Sequence, residues 1–170
     1  MLKLIPSSVF GLTGLALLAA CGSGEPEKAE TPPAPPAAAP APAALPPVDM
    51  ANAQQFTANG GALTPLTFDR SGSTTVTGAV VGYKAPVYAV PVAAGQTLTV
   101  TFQSDSANLY VNVSDAADHS GAALHRGEID GGTAKLKADR DMTFVILPFQ
   151  PRAMARRNET GTFHLTVSRE

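Results

Sequence analysis

From about residue 50 to its end at residue 170, the sequence predicts an all-β domain, an antiparallel, jelly-roll-like β-sandwich. Two observations predict it. Apolar residues recur at every second position in run after run, the period of a strand with one buried face. Turn signals rich in Gly, Asn and Asp separate the runs, as expected of many short strands folded back on one another.

Residues 63–68 and 73–81 are the first two candidate strands. In the third, Tyr88, Val90 and Val92 alternate with Ala89 and Pro91. Proline has no N–H to give to a ladder, so Pro86 and Pro91 predict an edge strand or an irregular start. Leu98, Val100 and Phe102 then alternate with Thr97, Thr99 and Thr101, and Leu109, Val111 and Val113 with Tyr110 and Asn112. Met142, Phe144 and Ile146 alternate with Thr143 and Val145, and the closing run sets Phe163, Leu165 and Val167 against His164 and Thr166. β-Branched residues at these positions suit a pleated, half-buried surface. Turns are expected at Asn59-Gly60-Gly61, Ala94-Gly95-Gln96, Ser104-Asp105-Ser106, Asp130-Gly131-Gly132 and Asn158-Glu159-Thr160-Gly161. Only residues 151–157 could hold a helical turn. The expected core comprises Leu98, Val100, Phe102, Phe144, Ile146, Phe163 and Leu165.

The chain before this domain reads differently. Residues 1–20 form a signal peptide: Lys3 gives a positive start, and an apolar run follows that is too short to span a bilayer. It ends in Leu18-Ala19-Ala20-Cys21, a lipobox. Cleavage there makes Cys21 the first residue of a lipoprotein, its thiol carrying a diacylglycerol and its anchor acyl chains such as palmitate. Gly22 stands where a lipoprotein held in the inner membrane typically has Asp, which assigns this one to the outer membrane. Residues 21–49 are the lipidated cysteine and a Pro/Ala-rich linker holding nine of the 15 prolines. The linker has too little apolar surface to order itself. In extended polyproline form it would reach roughly 85 Å. Cys21 is the only cysteine, so the domain has no disulfide and must stand on its apolar core.

Composition narrows the function. Residues 50–170 carry ten basic and ten acidic side chains, so the basic footprint of a nucleic-acid binder is missing. There is no tryptophan for stacking on sugars. No nucleophile elbow appears. Ser120 next to His119, with Asp115 and Asp118 nearby, is the closest approach to a triad, but neighbours in sequence on one turn rarely meet in triad geometry. His119 and His125 stand six apart, without the tighter spacing of a zinc site, and read as exposed loop residues. His164 falls on the polar face of the last strand. Asp139 and Asp141, with Arg140 between them, read as a strand entrance rather than a cation cage. No enzyme, metal or cofactor is expected. The distinctive stretch is Arg152-Ala153-Met154-Ala155-Arg156-Arg157-Asn158-Glu159, where three arginines crowd one connection. Two uses are open to them. Their guanidiniums could tie strand ends together, with Glu159 pairing Arg156 or Arg157, or they could recognise a partner.

One resemblance follows from these residues. Tyr88 precedes Ala94-Gly95-Gln96-Thr97-Leu98-Thr99-Val100. Then come Tyr110-Val111-Asn112-Val113, Asp141-Met142-Thr143-Phe144 and the arginine stretch with Ala155 and Glu159, closed by Phe163-His164-Leu165-Thr166-Val167. In order and spacing, residues 83–168 resemble bacterial envelope proteins related to the periplasmic inhibitor of g-type lysozyme. Arg140 stands where that pattern has glycine and Met142 where it has tyrosine, and the loop at residues 115–121 lacks its Pro-Gly turn. The resemblance implies a sandwich that binds a protein, a lysozyme among the candidates. Arg152, Arg156 and Arg157 would then meet the carboxylates of a glycosidase cleft. The alternatives are a structural or assembly lipoprotein docking on another envelope component, and a cell-wall glycan-binding module.

Overall fold

The structure, a computed structural model, describes residues 44–170. The expected signal peptide, the expected lipidation site Cys21 and the expected linker up to residue 43 lie outside the described residues. Nine strands follow one another: β1 (Leu63–Pro65), β2 (Ser73–Val81), β3 (Val87–Val92), β4 (Thr97–Ser104), β5 (Tyr110–Asp115), β6 (His125–Arg126), β7 (Thr133–Lys137), β8 (Met142–Phe149) and β9 (Thr160–Arg169). Three short helices interrupt them: α1 (Met50–Ala53), α2 (Gly127–Asp130) and α3 (Arg152–Arg156), with a 3-10 turn at Gln54–Thr57. The helical turn expected at residues 151–157 is α3; the period-two reading gave no signal for α1 or α2.

One sheet has the order β1-β3-β8-β5-β6 and the other β2-β9-β4-β7. Leaving β1 aside, this is the strand order of a jelly roll, in which successive strands cross between two facing sheets. Pairing is antiparallel except between β1 and β3, which run parallel from Leu63↔Val87 to Pro65↔Ala89. They can do so because β2, the strand between them in sequence, lies in the other sheet.

The core fills the space between the sheets. Leu98, Val100, Phe102, Phe144, Ile146, Phe163 and Leu165 all belong to it, as the alternation requires. Phe163 stacks on Phe102 with centroids 5.4 Å apart and meets Tyr88 edge-on at 6.4 Å, a geometry that adds about 0.5–1.5 kcal/mol per pair beyond area burial.

The expectation of one buried face per strand fails at the centre of the five-stranded sheet. All six residues of β3 are buried, as are Thr143 and Val145 on β8. The covering comes from upstream. Val48 and Phe56 pack with Ala53 over Val87, Ala89, Ala116 and Val145 on the outer face. Asp49 caps α1 through the Asn52 N–H at 3.0 Å, and its own N–H donates to Thr143 Oγ1 at 2.9 Å. Val48 and Asp49, which composition assigns to the linker, therefore lie against the sandwich.

Proline placement in β3 follows from hydrogen-bond parity. The Val87 N–H donates to Ala62 and the Ala89 carbonyl accepts from Leu66, so odd-numbered residues of β3 face away from β8. Pro91 is odd, and its missing N–H costs no bond to β8. Its carbonyl accepts from the Arg169 guanidinium at 3.0 Å, and that guanidinium lies 3.9 Å over the Phe68 ring.

Candidate functional site

The three arginines sit on α3 and at its C-terminal end. Pro151 starts the turn, and its carbonyl accepts from the Met154 and Ala155 N–H groups at 3.0 Å each. The turn ends in a Schellman arrangement. Asn158 takes the left-handed conformation (φ 54°), its N–H donates to Ala155 at 3.0 Å, and the Glu159 N–H reaches Met154 at 3.3 Å. Ala155 is buried and anchors the turn. Arg152 and Arg156 are four residues apart, which puts them on one face, and both are exposed.

The arginines divide into two kinds. Arg157 is tied to Glu159, with Nε and Nη2 each 2.6 Å from Oε1. Arg152 and Arg156 form no hydrogen bond or ion pair among the described residues. The pairing expected for Glu159 is therefore with Arg157, and the other two cations of the stretch face solvent.

A second turn docks beside them, and sequence reasoning passed over it. The Val81 and Lys84 backbones exchange hydrogen bonds at 3.0 and 2.9 Å around Gly82-Tyr83. Gly82 has φ 58°, the first central position of a II′-like hairpin turn. Tyr83 at the tip is 48% exposed. The Gly82 N–H donates to the Glu159 carbonyl at 2.9 Å. Gln150 Nε2 bridges the Val80 and Glu159 carbonyls at 3.1 and 2.9 Å. Tyr83, Gln150, Phe149 and Phe56 line a hollow of about 270 Å³ at this junction. The usable signal was the Gly-aromatic pair between two apolar runs.

Most of the other polar residues that stand out in the sequence have structural partners. Asp115, 8% exposed, pairs with Arg140, which also reaches Asp139 at 3.0 Å. Asp115 draws the Arg140 guanidinium pKa upward, chiefly by its charge. Asp141 accepts from the Ala94 N–H at 2.9 Å, so residues 139–141 do form a strand entrance. Asp118 Oδ1 accepts from the Ser120 N–H at 2.8 Å within one loop, and His119 is exposed there. His125 corrects the expectation of an exposed loop residue. It lies in β6 opposite Val113, is buried, and its Nε2 stands 2.8 Å from the Gly131 carbonyl, pinning α2 to the sheet. His164 is exposed on β9, on the polar face. No group of three or more His, Cys, Asp or Glu is gathered for a metal among the described residues. No helix among them is long and apolar enough to cross a membrane.

No family model and no curated protein matches the chain. Solved structures do. The fold is similar to the crystal structure of Aeromonas hydrophila PliG, a periplasmic lysozyme inhibitor of g-type lysozyme. Identity is 30% and the TM-score 0.57, over 64% of this chain and 96% of that one. Salmonella Typhimurium PliG has 20% identity and a TM-score of 0.51, over 65% of this chain and 99% of its own. A mutant of PliG from Escherichia coli has 19% identity and the same TM-score and coverage. These last two speak for the fold alone. With the motifs in residues 83–168 and the identity to the Aeromonas protein, the β-sandwich of this chain belongs to the family of bacterial envelope proteins related to the periplasmic inhibitor of g-type lysozyme.

Proposed function

We propose that this chain is a non-enzymatic envelope lipoprotein, tethered through Cys21 to the outer membrane, whose sandwich binds and inhibits a g-type lysozyme. Arg152, Arg156 and Tyr83 form the recognition surface, with Arg157 beside them. One observation carries the reading. Arg152 and Arg156 are exposed at i, i+4 spacing with no carboxylate partner among the described residues. Like charges at that spacing destabilise a helical turn by about 0.2–0.5 kcal/mol, so folding alone gives no reason for them. A partner with acceptors does. Glycosidase clefts present paired carboxylates, and guanidinium forks bind carboxylates in bidentate fashion. Tyr83 adds a large amphipathic contact of the kind enriched where proteins meet. The neighbour with 30% identity is, by its description, an inhibitor of g-type lysozyme.

The deciding experiment is inhibition of several purified lysozyme types by the purified chain. Inhibition confined to g-type enzymes is the expected result. If every lysozyme keeps full activity with the chain in excess, the inhibitor reading falls, and an assembly or glycan-binding role takes its place.

A further inference from the structure

The hollow of about 270 Å³ at the junction of the two turns has a chemistry of its own. Asn59 and Tyr83, both exposed, stand at its rim. Half-buried Phe56, Leu147 and Phe149 give it apolar walls, and Asn112 and Gln150 bring two amides. None of the residues that line it among the described residues is charged. A water molecule takes about 30 Å³, so the hollow has room for several rather than for one bridging water. It falls just below the roughly 300–1,000 Å³ of small-molecule sites, a size that suits a single ring.

The two amides are short of partners. Gln150 directs Nε2 at the Val80 and Glu159 carbonyls, which leaves its Oε1 free to accept. Asn112 stands on β5 opposite Leu147 of β8, on the outer face of the five-stranded sheet, because Val111 and Val113 on either side of it point into the core. The Asn112 Oδ1 is buried and meets no donor; among the described residues no other buried side-chain polar atom is left so. A buried acceptor that gives up water and gains no donor destabilises a fold. Native structures nearly always supply one, from protein, water or ligand. β6 and β8 hold the Asn112 backbone from both sides, so the donor must come to it.

We propose that this hollow binds a single acetamido sugar ring. The acetamido group carries what the lining lacks: an N–H to donate to an amide oxygen of Asn112 or Gln150, a carbonyl to accept from the Asn112 amide, and a methyl for the wall at Leu147. The C–H face of the pyranose lies against an aromatic wall, Phe56 or Phe149, and its hydroxyls meet Asn59 and the Tyr83 hydroxyl at the rim. Aromatic faces for stacking are thus present here although the chain has no tryptophan. A charged ligand is disfavoured, because no side chain lining the hollow pairs a charge. An asparagine or glutamine side chain of a protein partner could reach the same amides, but it brings no ring for the aromatic walls. The site stands apart from the inhibitor reading and shares only Tyr83 with it.

The test is titration of the purified full chain with N-acetylglucosamine, followed by amide chemical shifts, with glucose and an asparagine-bearing peptide run alongside. The expected result is saturable shifts centred on Phe56, Tyr83, Asn112 and Gln150. Glucose, which lacks the acetamido group, should bind at least roughly tenfold more weakly, since a site built to hydrogen-bond a group rejects the analogue without it. Asn112→Leu should weaken sugar binding at least as much while leaving the melting temperature unchanged or higher, because it replaces an unpaired buried acceptor by an apolar group. Asn112→Thr serves the same purpose if Asn112→Leu does not fold. Equal binding of glucose, shifts centred elsewhere, or an Asn112→Leu variant that binds like wild type overturns the proposal. So does a peptide that saturates the hollow where the sugar does not. No lysozyme enters the titration, so a chain that inhibits lysozyme but binds no sugar loses this site and keeps the inhibitor reading.

Discussion

The backbone N–H of Gly82 donates to the carbonyl of Glu159 at 2.9 Å, and this bond fastens the Tyr83 turn to the arginine turn. A Cβ on Gly82 would come within 2.7 Å of Asn158 Oδ1 and 3.1 Å of the Ala155 carbonyl, at a φ of 58°. Gly82→Ala is therefore expected to cost about 1–2 kcal/mol from backbone conformation alone, with more from crowding. Urea unfolding measures the loss. The same variant should weaken lysozyme inhibition, because Tyr83 and the arginines would no longer share one surface.

Arg152→Ala and Arg156→Ala should leave the melting temperature unchanged or slightly raised, since each removes a like-charge neighbour. A partner's buried charge left unpaired costs about 2–5 kcal/mol, so inhibition should weaken at least roughly tenfold. Arg157→Ala should lower stability by no more than about 1 kcal/mol, the range of an exposed ion pair. Inhibition titrations paired with thermal melts separate the cases. A pair of alanine variants that inhibit like wild type would remove these arginines from the site.

Phe144 is 1% exposed at the centre of the core. Phe144→Ala should cost about 3–5 kcal/mol through lost burial and the cavity left behind. That is a large share of the roughly 5–15 kcal/mol that stabilises a typical domain. A chemical-denaturation midpoint close to wild type would show that the site collapses around the smaller side chain.

Acid should destabilise the fold in a defined window. Asp105 accepts from the Thr162 hydroxyl at 2.7 Å and N–H at 2.8 Å, and the hydroxyl bond does most to hold its pKa below the ordinary carboxylate value. Asp49 is held low chiefly by the Asn52 N–H, and Asp69 by the Ser71 hydroxyl. A carboxyl whose folded pKa is depressed stabilises the fold above its unfolded value, about 3.9, and loses that contribution as pH falls through the folded value. The melting temperature should thus vary little with these groups above about pH 5 and fall below about pH 4. Asp105→Asn should lower the neutral-pH value and make the acid-side fall shallower.

Cys21→Ala should release the domain from membranes or leave an uncleaved precursor. Cell fractionation and intact mass check this together. Wild-type protein purified from membranes without acyl mass on Cys21 would rule out the lipid anchor.

Much of the fold is legible in the sequence because a strand's side chains alternate by geometry, so Leu98, Val100, Phe102 and Phe163 declare their face without reference to any partner. The arginine turn is also local: Pro151, Ala155 and Asn158 shape it within nine residues, and Glu159 claims Arg157 across two. Other features depend on what the chain meets at long range. Val145 reads as a solvent-facing position until Val48 and Phe56 fold over it. His125 reads as a loop residue until β6 pairs with β5. Tyr83 joins the arginines only because the Gly82 N–H donates to the Glu159 carbonyl and the Gln150 amide bridges the Val80 and Glu159 carbonyls, linking segments some seventy residues apart. The hollow beside Tyr83 exists only once these segments and Phe56 are in place, since alternation says which way a side chain points but not which segments close around a space. Periodicity is a property of the local backbone and survives in one dimension. Adjacency between distant turns and the space enclosed beside them are properties of the packed chain, and they appear only when both sheets are in place.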